Sequence, residues 1–273
     1  MSVLKITSKE NEAFKKALKI VSLKKYETSL EKFTAEGTRL CQEILNCNLE
    51  LYSLFFTEKF SLKNKNLVNK LTEKAEKSYL VTENLFKKLC DTLEPQGILC
   101  ICNRPKNNRK TINEICENSE KILILENIQD PKNLGTILRT AECLGVKNII
   151  LNKTCCDLYN KKALRGSMGS TFRLNFYFSN DLEKTILKIK NSFKIPVFSS
   201  TLGENTLLLK EIHFPKKCAV VIGNEGNGIT EKVINASSFK IKIPMVKCAN
   251  SLNASVAAGI ILWEIMKQDL SER

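Results

Sequence analysis

With 273 residues and 43% hydrophobic content, the chain can bury a real core, and no apolar run approaches the roughly 20 residues of a membrane helix. Its formal charge of +14, with lysine doublets from Lys15/Lys16 to Lys216/Lys217, points to a polyanion such as RNA or DNA; the plainer reading is lysine as a default surface residue. The opening MSVLKITSKENEAFKK turns polar before an apolar leader forms, so a cytoplasmic location is expected.

In chain order, residues 11 to 23 predict a basic helix, and KFTAEGTRLCQEIL predicts a short strand, a Glu-Gly turn and an amphipathic helix. Leu51 to Phe56 reads as a buried strand, Leu62 to Lys77 as a helix and SYLV as a short strand. TENLFKKLCDTL reads as a helix capped by Thr82, followed by the strand GILCIC. This alternation describes a small α/β sandwich over residues 1–105. NRPKNNRKTINE gathers Asn, Pro and basic residues without apolar periodicity, and predicts a linker over 106–118. KILILEN then opens a second domain, 119–273, with a continuous apolar strand of the kind covered on both faces of a parallel sheet. NLGTILRTAECLG reads as a helix ended by Gly145, KNIIL as a strand, Asp181 to Phe193 as a helix, and IPVFSS and CAVVIG as strands. A helix from about Thr230, the strand FKIKIP and a terminal helix from about Asn253 complete an α/β fold with a mainly parallel sheet.

Ligands of open parallel sheets settle at the carboxyl ends of strands, where turns leave backbone groups unsatisfied. Three turns qualify here: ENIQDPKNLGTILRTAECLG, GNEGNG and IPMVKCANSLNAS. The span from Gly223 to Gly228 has the glycine spacing of a phosphate loop, but Ile229 stands where lysine is needed, and G-x-G-x-x-G is absent. Alone, GNEGNG is equally a structural turn. The 11 cysteines are odd in number and many sit in apolar runs, so reduced buried thiols are expected rather than disulfides. Cys100/Cys102 and Cys155/Cys156 lack paired C-x-x-C spacing and His213 is the only histidine, so no metal site is expected.

Taken together, DPKNLGTILRTAECLGVKNIIL, VVIGNEGNGI and IPMVKCANSLNASVAAGI resemble, in order and spacing, the three motifs of the SpoU/TrmH family of RNA ribose 2′-O-methyltransferases in the SPOUT superfamily. The likeness runs from about Lys121 to Met266, and EKFTAEGTRLCQEIL is more weakly similar to the family's N-terminal RNA-binding domain. The resemblance implies a trefoil-knotted C-terminal domain, S-adenosyl-L-methionine (SAM) as cofactor, and a homodimer whose active site borrows residues across the interface. The implied substrate is a ribose 2′-hydroxyl of structured RNA, ribosomal RNA before transfer RNA. The runner-up is a non-catalytic RNA-binding assembly factor on the same scaffold, and no membrane partner is expected.

Carried over by position, Gly223, Asn224, Ile243, Met245 and Leu252 would form the cofactor pocket, largely through backbone groups. Arg139, Asn133, Glu225, Ser251 and Asn253 would be the catalytic set. Arg139 offers a rigid fork to a phosphate or a developing alkoxide, although a guanidinium is a poor proton acceptor; a salt bridge on a solvated helix face is its plain reading. Glu225 would anchor Arg139 or Asn253, or cap the next helix. Ser251 and Asn253 are also ordinary N-cap residues. Lys247 and Asn250 depart from the family pattern, which puts the shape of the third-motif loop in question.

Overall fold

The computed structural model describes residues 3–22, 31–117, 119–203, 205–224, 226–246 and 251–271. Contacts divide the chain into two compact units, Met1–Lys106 with Tyr159–Phe172, and Asn107–Leu158 with Arg173–Arg273.

The first unit contains β1 (Val3–Ile6), α1 (Glu12–Ser22), β2 (Lys32–Glu36), α2 (Thr38–Asn46), β3 (Leu51–Phe56), α3 (Glu58–Lys63), α4 (Lys65–Lys74), β4 (Lys77–Val81), α5 (Glu83–Lys88) and β5 (Ile98–Asn103). Its sheet has the order β1-β4-β3-β5-β2, with β1, β4 and β3 parallel and β5 antiparallel to both β3 and β2. Phe14, Ala17 and Val21 of α1 join Phe55, Tyr79, Phe86 and Ile101 in one core, with the Phe55 and Tyr79 rings stacked 4.8 Å apart. The single helix expected over Leu62 to Lys77 is two helices. Thr57 caps α3 by accepting from Phe60 N, and Asn64, at φ −130°, interrupts the ladder before α4. Thr82 does cap α5, its hydroxyl accepting from Leu85 N at 3.4 Å. Strand β1 was not anticipated: three of its four side chains are exposed, so it carries no buried-strand signature.

The second unit contains α6 (Ile112–Glu117), β6 (Lys121–Leu125), α7 (Pro131–Cys143) and β7 (Asn148–Asn152); α8 (Lys161–Ser167), next in the chain, groups with the first unit. There, Tyr159 and Phe172 lie 4.9 and 5.5 Å from the Phe33 ring. The second unit resumes with β8 (Asn175–Ser179), α9 (Leu182–Phe193), β9 (Val197–Ser200), β10 (Leu207–Leu208), β11 (Cys218–Ile222), α10 (Glu231–Ala236), β12 (Phe239–Lys242) and α11 (Ala254–Ser271). All strands pair parallel in the order β10-β12-β9-β11-β6-β7-β8. The basic stretch 106–118 contains α6, whose Ile112, Ile115 and Cys116 enter the core beside α9, α10 and the sheet. Helices α7 and α11 pack against each other. Both Ile122/Ile124 and Leu123/Leu125 of β6 are buried, as a strand covered on both faces requires.

Most of the described cysteines are buried. Burial pushes the Cys116 and Cys218 thiols up to about 11, so neither is a ready thiolate nucleophile. Among the described residues no helix is long and apolar enough to cross a membrane, and no group of three or more His, Cys, Asp or Glu could hold a metal ion.

Candidate active site

Strands β6 and β11 are neighbours at the middle of the parallel sheet, and the chain leaves them differently. After β6 it enters α7, which packs on α11; after β11 it enters α10, whose Val233 and Ile234 join the cluster made with α6 and α9. Adjacent strands whose connections diverge create a crevice at their carboxyl ends, the usual ligand position in such sheets. A cleft of about 550 Å³ opens on the β11 side of this point, at the carboxyl ends of β9, β11 and β12.

Its walls come from three connections, backed by Glu231 and Ile234 of α10 and Ala254 and Ala257 of α11. Ser200 to Gly203 follow β9; Gly223, Asn224 and Gly226 to Ile229 follow β11; Ile243 and Met245 follow β12; and Ser251 and Leu252 precede α11. Gly223, Asn224, Ile243, Met245 and Leu252, the five residues expected around a cofactor, therefore line one cleft, together with Ser251. The contribution of Thr201 and its neighbours was not anticipated, because nothing in TLG marks it as more than a loop. The volume lies within the range of about 300–1,000 Å³ typical of small-molecule sites.

The glycine turn is closed by a reciprocal pair of backbone bonds between Asn224 and Gly228, 3.0 Å each. The Asn224 side chain is committed inside the protein: Oδ1 accepts from Gly226 N at 2.9 Å and Asn227 N at 3.0 Å, while Nδ2 donates to Asn127 O at 2.8 Å. This leaves the turn to face the cleft largely with main chain. Glu225 lies outside the described residues, as do Lys247 and Asn250.

The first and third motifs meet through amides. Asn133, in the first turn of α7 behind the Asp130 cap, is buried, and its Oδ1 accepts from Asn253 Nδ2 at 3.0 Å. At the same time Asn253 Oδ1 accepts from Ser255 N at 2.9 Å and from the Ser255 hydroxyl at 2.6 Å. Asn253 is thus both the N-cap of α11 and a link to α7, and it does not itself line the cleft.

Arg139 is elsewhere. It lies six residues beyond Asn133, about 9 Å further along α7 at the usual helical rise, and its side chain is exposed, with no bonding partner among the described residues. It does not line the cleft. Beside it, Thr140 faces Gly259 of α11, where a Cβ would stand 3.8 Å from the threonine methyl.

Glu126 is a further residue at this edge that sequence reasoning missed. It follows β6 directly, its backbone N–H donates to Ile222 O at 2.9 Å, and its carboxylate accepts from both Thr230 N and the Thr230 hydroxyl, at 2.9 and 2.8 Å.

A sequence model described as the SpoU rRNA Methylase family matches residues 120–263, and one described as the MRM3-like substrate binding domain matches residues 12–100. The 23S rRNA (guanosine(2553)-2'-O)-methyltransferase RlmP of Bacillus subtilis is 28% identical over 242 residues, 89% of this chain and 91% of that one. An uncharacterized tRNA/rRNA methyltransferase of Synechocystis sp., slr1673, is 31% identical over 233 residues, 85% of this chain and 83% of that one. The AdoMet-bound rRNA methyltransferase from Sinorhizobium meliloti shares the fold, with a TM-score of 0.83 at 23% identity over 97% of this chain and 98% of that chain.

Proposed function

The chain belongs to the SpoU rRNA methylase family, and from that membership we propose that it methylates a ribose 2′-hydroxyl of ribosomal RNA with SAM as methyl donor. The observation that carries this reading is the cleft at the carboxyl ends of β9, β11 and β12. It is walled by main chain of the glycine turn and by Ile229, Ile243, Met245 and Leu252, surfaces suited to a flat base and a compact cation. SAM, when bound, supplies a methyl group already activated by its sulfonium. The protein's part is then to align the hydroxyl and to stabilise the charge it develops.

Gly223, Asn224, Ile243, Met245 and Leu252 hold the donor in this proposal. Asn133 and Asn253 act as a pair that fixes the start of α7 against the start of α11; Ser251, on the cleft wall, faces the reacting groups. Arg139, exposed and unpaired among the described residues, is free to bind an RNA phosphate or the developing alkoxide. Glu225 stays a candidate from the resemblance alone. The first unit selects the RNA, in keeping with the substrate-binding description of residues 12–100.

The trefoil knot and the homodimer implied by the family likeness, and a cytoplasmic setting, belong to the same proposal. Support for the homodimer comes from α11. Its inner side buries Ala258, Ile261, Leu262 and Ile265, yet its outer side still exposes Val256, Ile260 and Trp263, the last by 52%. A helix apolar on all sides is normally covered all round. The exposed row has i, i+4, i+7 spacing, one stripe of a helix, and a second copy of the chain is its proposed occupant. Trp263→Glu is expected to give monomers with a retained fold; light scattering that still reports dimers would remove α11 from the interface.

The direct test incubates purified protein with methyl-labelled SAM and bacterial ribosomal RNA and maps ribose methyl groups. Transfer to one site is expected, unchanged by EDTA because no residue cluster assigned here needs a metal. Transfer confined to transfer RNA would correct the substrate, RNA binding without transfer would favour the assembly-factor reading, and loss in EDTA with rescue by one metal would overturn the metal-free proposal.

A further inference from the structure

Among the described residues, Glu126 is the one Asp, Glu, Lys or Arg that is fully buried, with 4% exposure. Burying a carboxylate is costly unless donors meet it, and here each oxygen has one. Oε2 takes the Thr230 backbone N–H at 2.9 Å and Oε1 takes the Thr230 hydroxyl at 2.8 Å. Thr230 is the N-cap of α10, and its hydroxyl makes no capping bond within its own helix. Its side chain is turned away from local capping toward a partner 104 residues earlier.

The position of this pair gives it a role. The glycine turn leaves β11 after Ile222 and re-enters regular structure at α10. At its start, Ile222 O accepts the Glu126 N–H, and at its end Thr230 is gripped by the Glu126 side chain. One residue therefore holds both ends of the segment that supplies Gly223, Asn224 and Gly226 to Ile229 to the cleft. Asn127, the next residue, holds the middle through the bond from Asn224 Nδ2 to its carbonyl. Neither Glu126 nor Thr230 lines the cleft.

We infer that Glu126 is a positioning residue for donor binding, tethering the glycine turn through Thr230 so that its main chain is set for SAM before SAM arrives. This rests on the proposed identity of the cleft as a SAM site. Without the tether the turn samples other conformations, and apparent affinity falls by the fraction that stays competent. The role is one of hydrogen-bond geometry rather than charge.

The experiment compares full-length wild type with Glu126→Ala, Glu126→Gln and Thr230→Val, measuring SAM affinity by calorimetry without RNA, ribosomal RNA affinity by filter binding, and the KM and kcat of methylation. Losing charge-assisted bonds to a buried group should weaken SAM binding about tenfold or more in Glu126→Ala, and about threefold or more in Thr230→Val. Glu126→Gln should stay within about threefold of wild type, since its Oε1 accepts the Thr230 N–H while its Nε2 donates to the hydroxyl. The KM for SAM should rise with kcat at saturating SAM preserved, and RNA affinity should not move. That split separates positioning from general loss of structure.

Unchanged SAM affinity in Thr230→Val, or in a folded Glu126→Ala, would overturn the inference, as would a glutamine variant as weak as alanine or a parallel loss of RNA binding. Should Glu126→Ala not fold, the threonine variant still decides. Wild-type protein that binds RNA but not SAM would instead overturn the methyltransferase reading, and this inference with it.

Discussion

Gly223→Ala is expected to weaken SAM binding by about a hundredfold or more, while Gly226→Ala, three residues along the same turn, changes it less than about threefold. The difference is one of space. A Cβ on Gly223 would sit 2.4 Å from the carbonyl carbon of Gly228, 2.5 Å from its oxygen and 2.5 Å from Ile229 N. All three are backbone atoms, and they are pinned by the reciprocal Asn224–Gly228 bonds, so no side chain can swing aside. Accommodating the methyl opens the turn. Overpacking costs about 1–3 kcal/mol, and each broken bond adds about 0.5–1.5 kcal/mol. The distortion falls on the main chain that walls the cleft. At Gly226 the nearest atom to a new Cβ is Asn224 Oδ1, at 3.5 Å, an ordinary contact. Calorimetric titration of both variants checks this, and a Gly223→Ala protein with near-normal affinity would take the glycine turn out of the donor site.

Arg139→Ala should lower single-turnover methylation by about 10²- to 10³-fold, the usual cost of removing one aligned charge-assisted donor from a preorganised site. Arg139→Lys should be nearly as poor, because an ammonium keeps the charge but not the planar fork that spans two oxygens. Neither change should alter SAM affinity, since Arg139 is absent from the cleft walls. Neither should alter stability by more than about 0.5 kcal/mol, since the side chain is exposed and unpaired among the described residues. A lysine variant with near-normal turnover would reject the fork. An alanine variant with normal turnover would return Arg139 to a solvated helix face, the position it occupies in the single chain.

The sequence by itself determined the parallel architecture and marked two of the turns that wall the cleft. KILIL and CAVVI are apolar throughout because both faces of β6 and β11 are covered, and that pattern is visible without knowing what covers them. The glycines of GNEGNG marked a turn of unusual backbone, and at Gly223 a Cβ would collide with the Gly228 backbone. Local chemistry also told truly at Thr82, where a cap needs only its own helix.

What the tertiary structure decided are the pairings between distant residues. In the sequence Glu126 is one more acid after a strand, and only the fold brings Thr230 to it across 104 residues. Asn253 read as a cap in the sequence, and only the fold brings its amide to Asn133, 120 residues away. Tyr159–Phe172 lies between two strands of the second unit yet belongs to the first, through Phe33. Arg139 read as either a phosphate fork or a residue on a solvated helix face, and in the single chain its side chain is exposed. Periodicity reports which side of an element is buried, and turn chemistry reports where the chain bends, because both are set by residues a few positions apart. Which buried side chain meets which is set by the packing of whole elements, and no local pattern carries that.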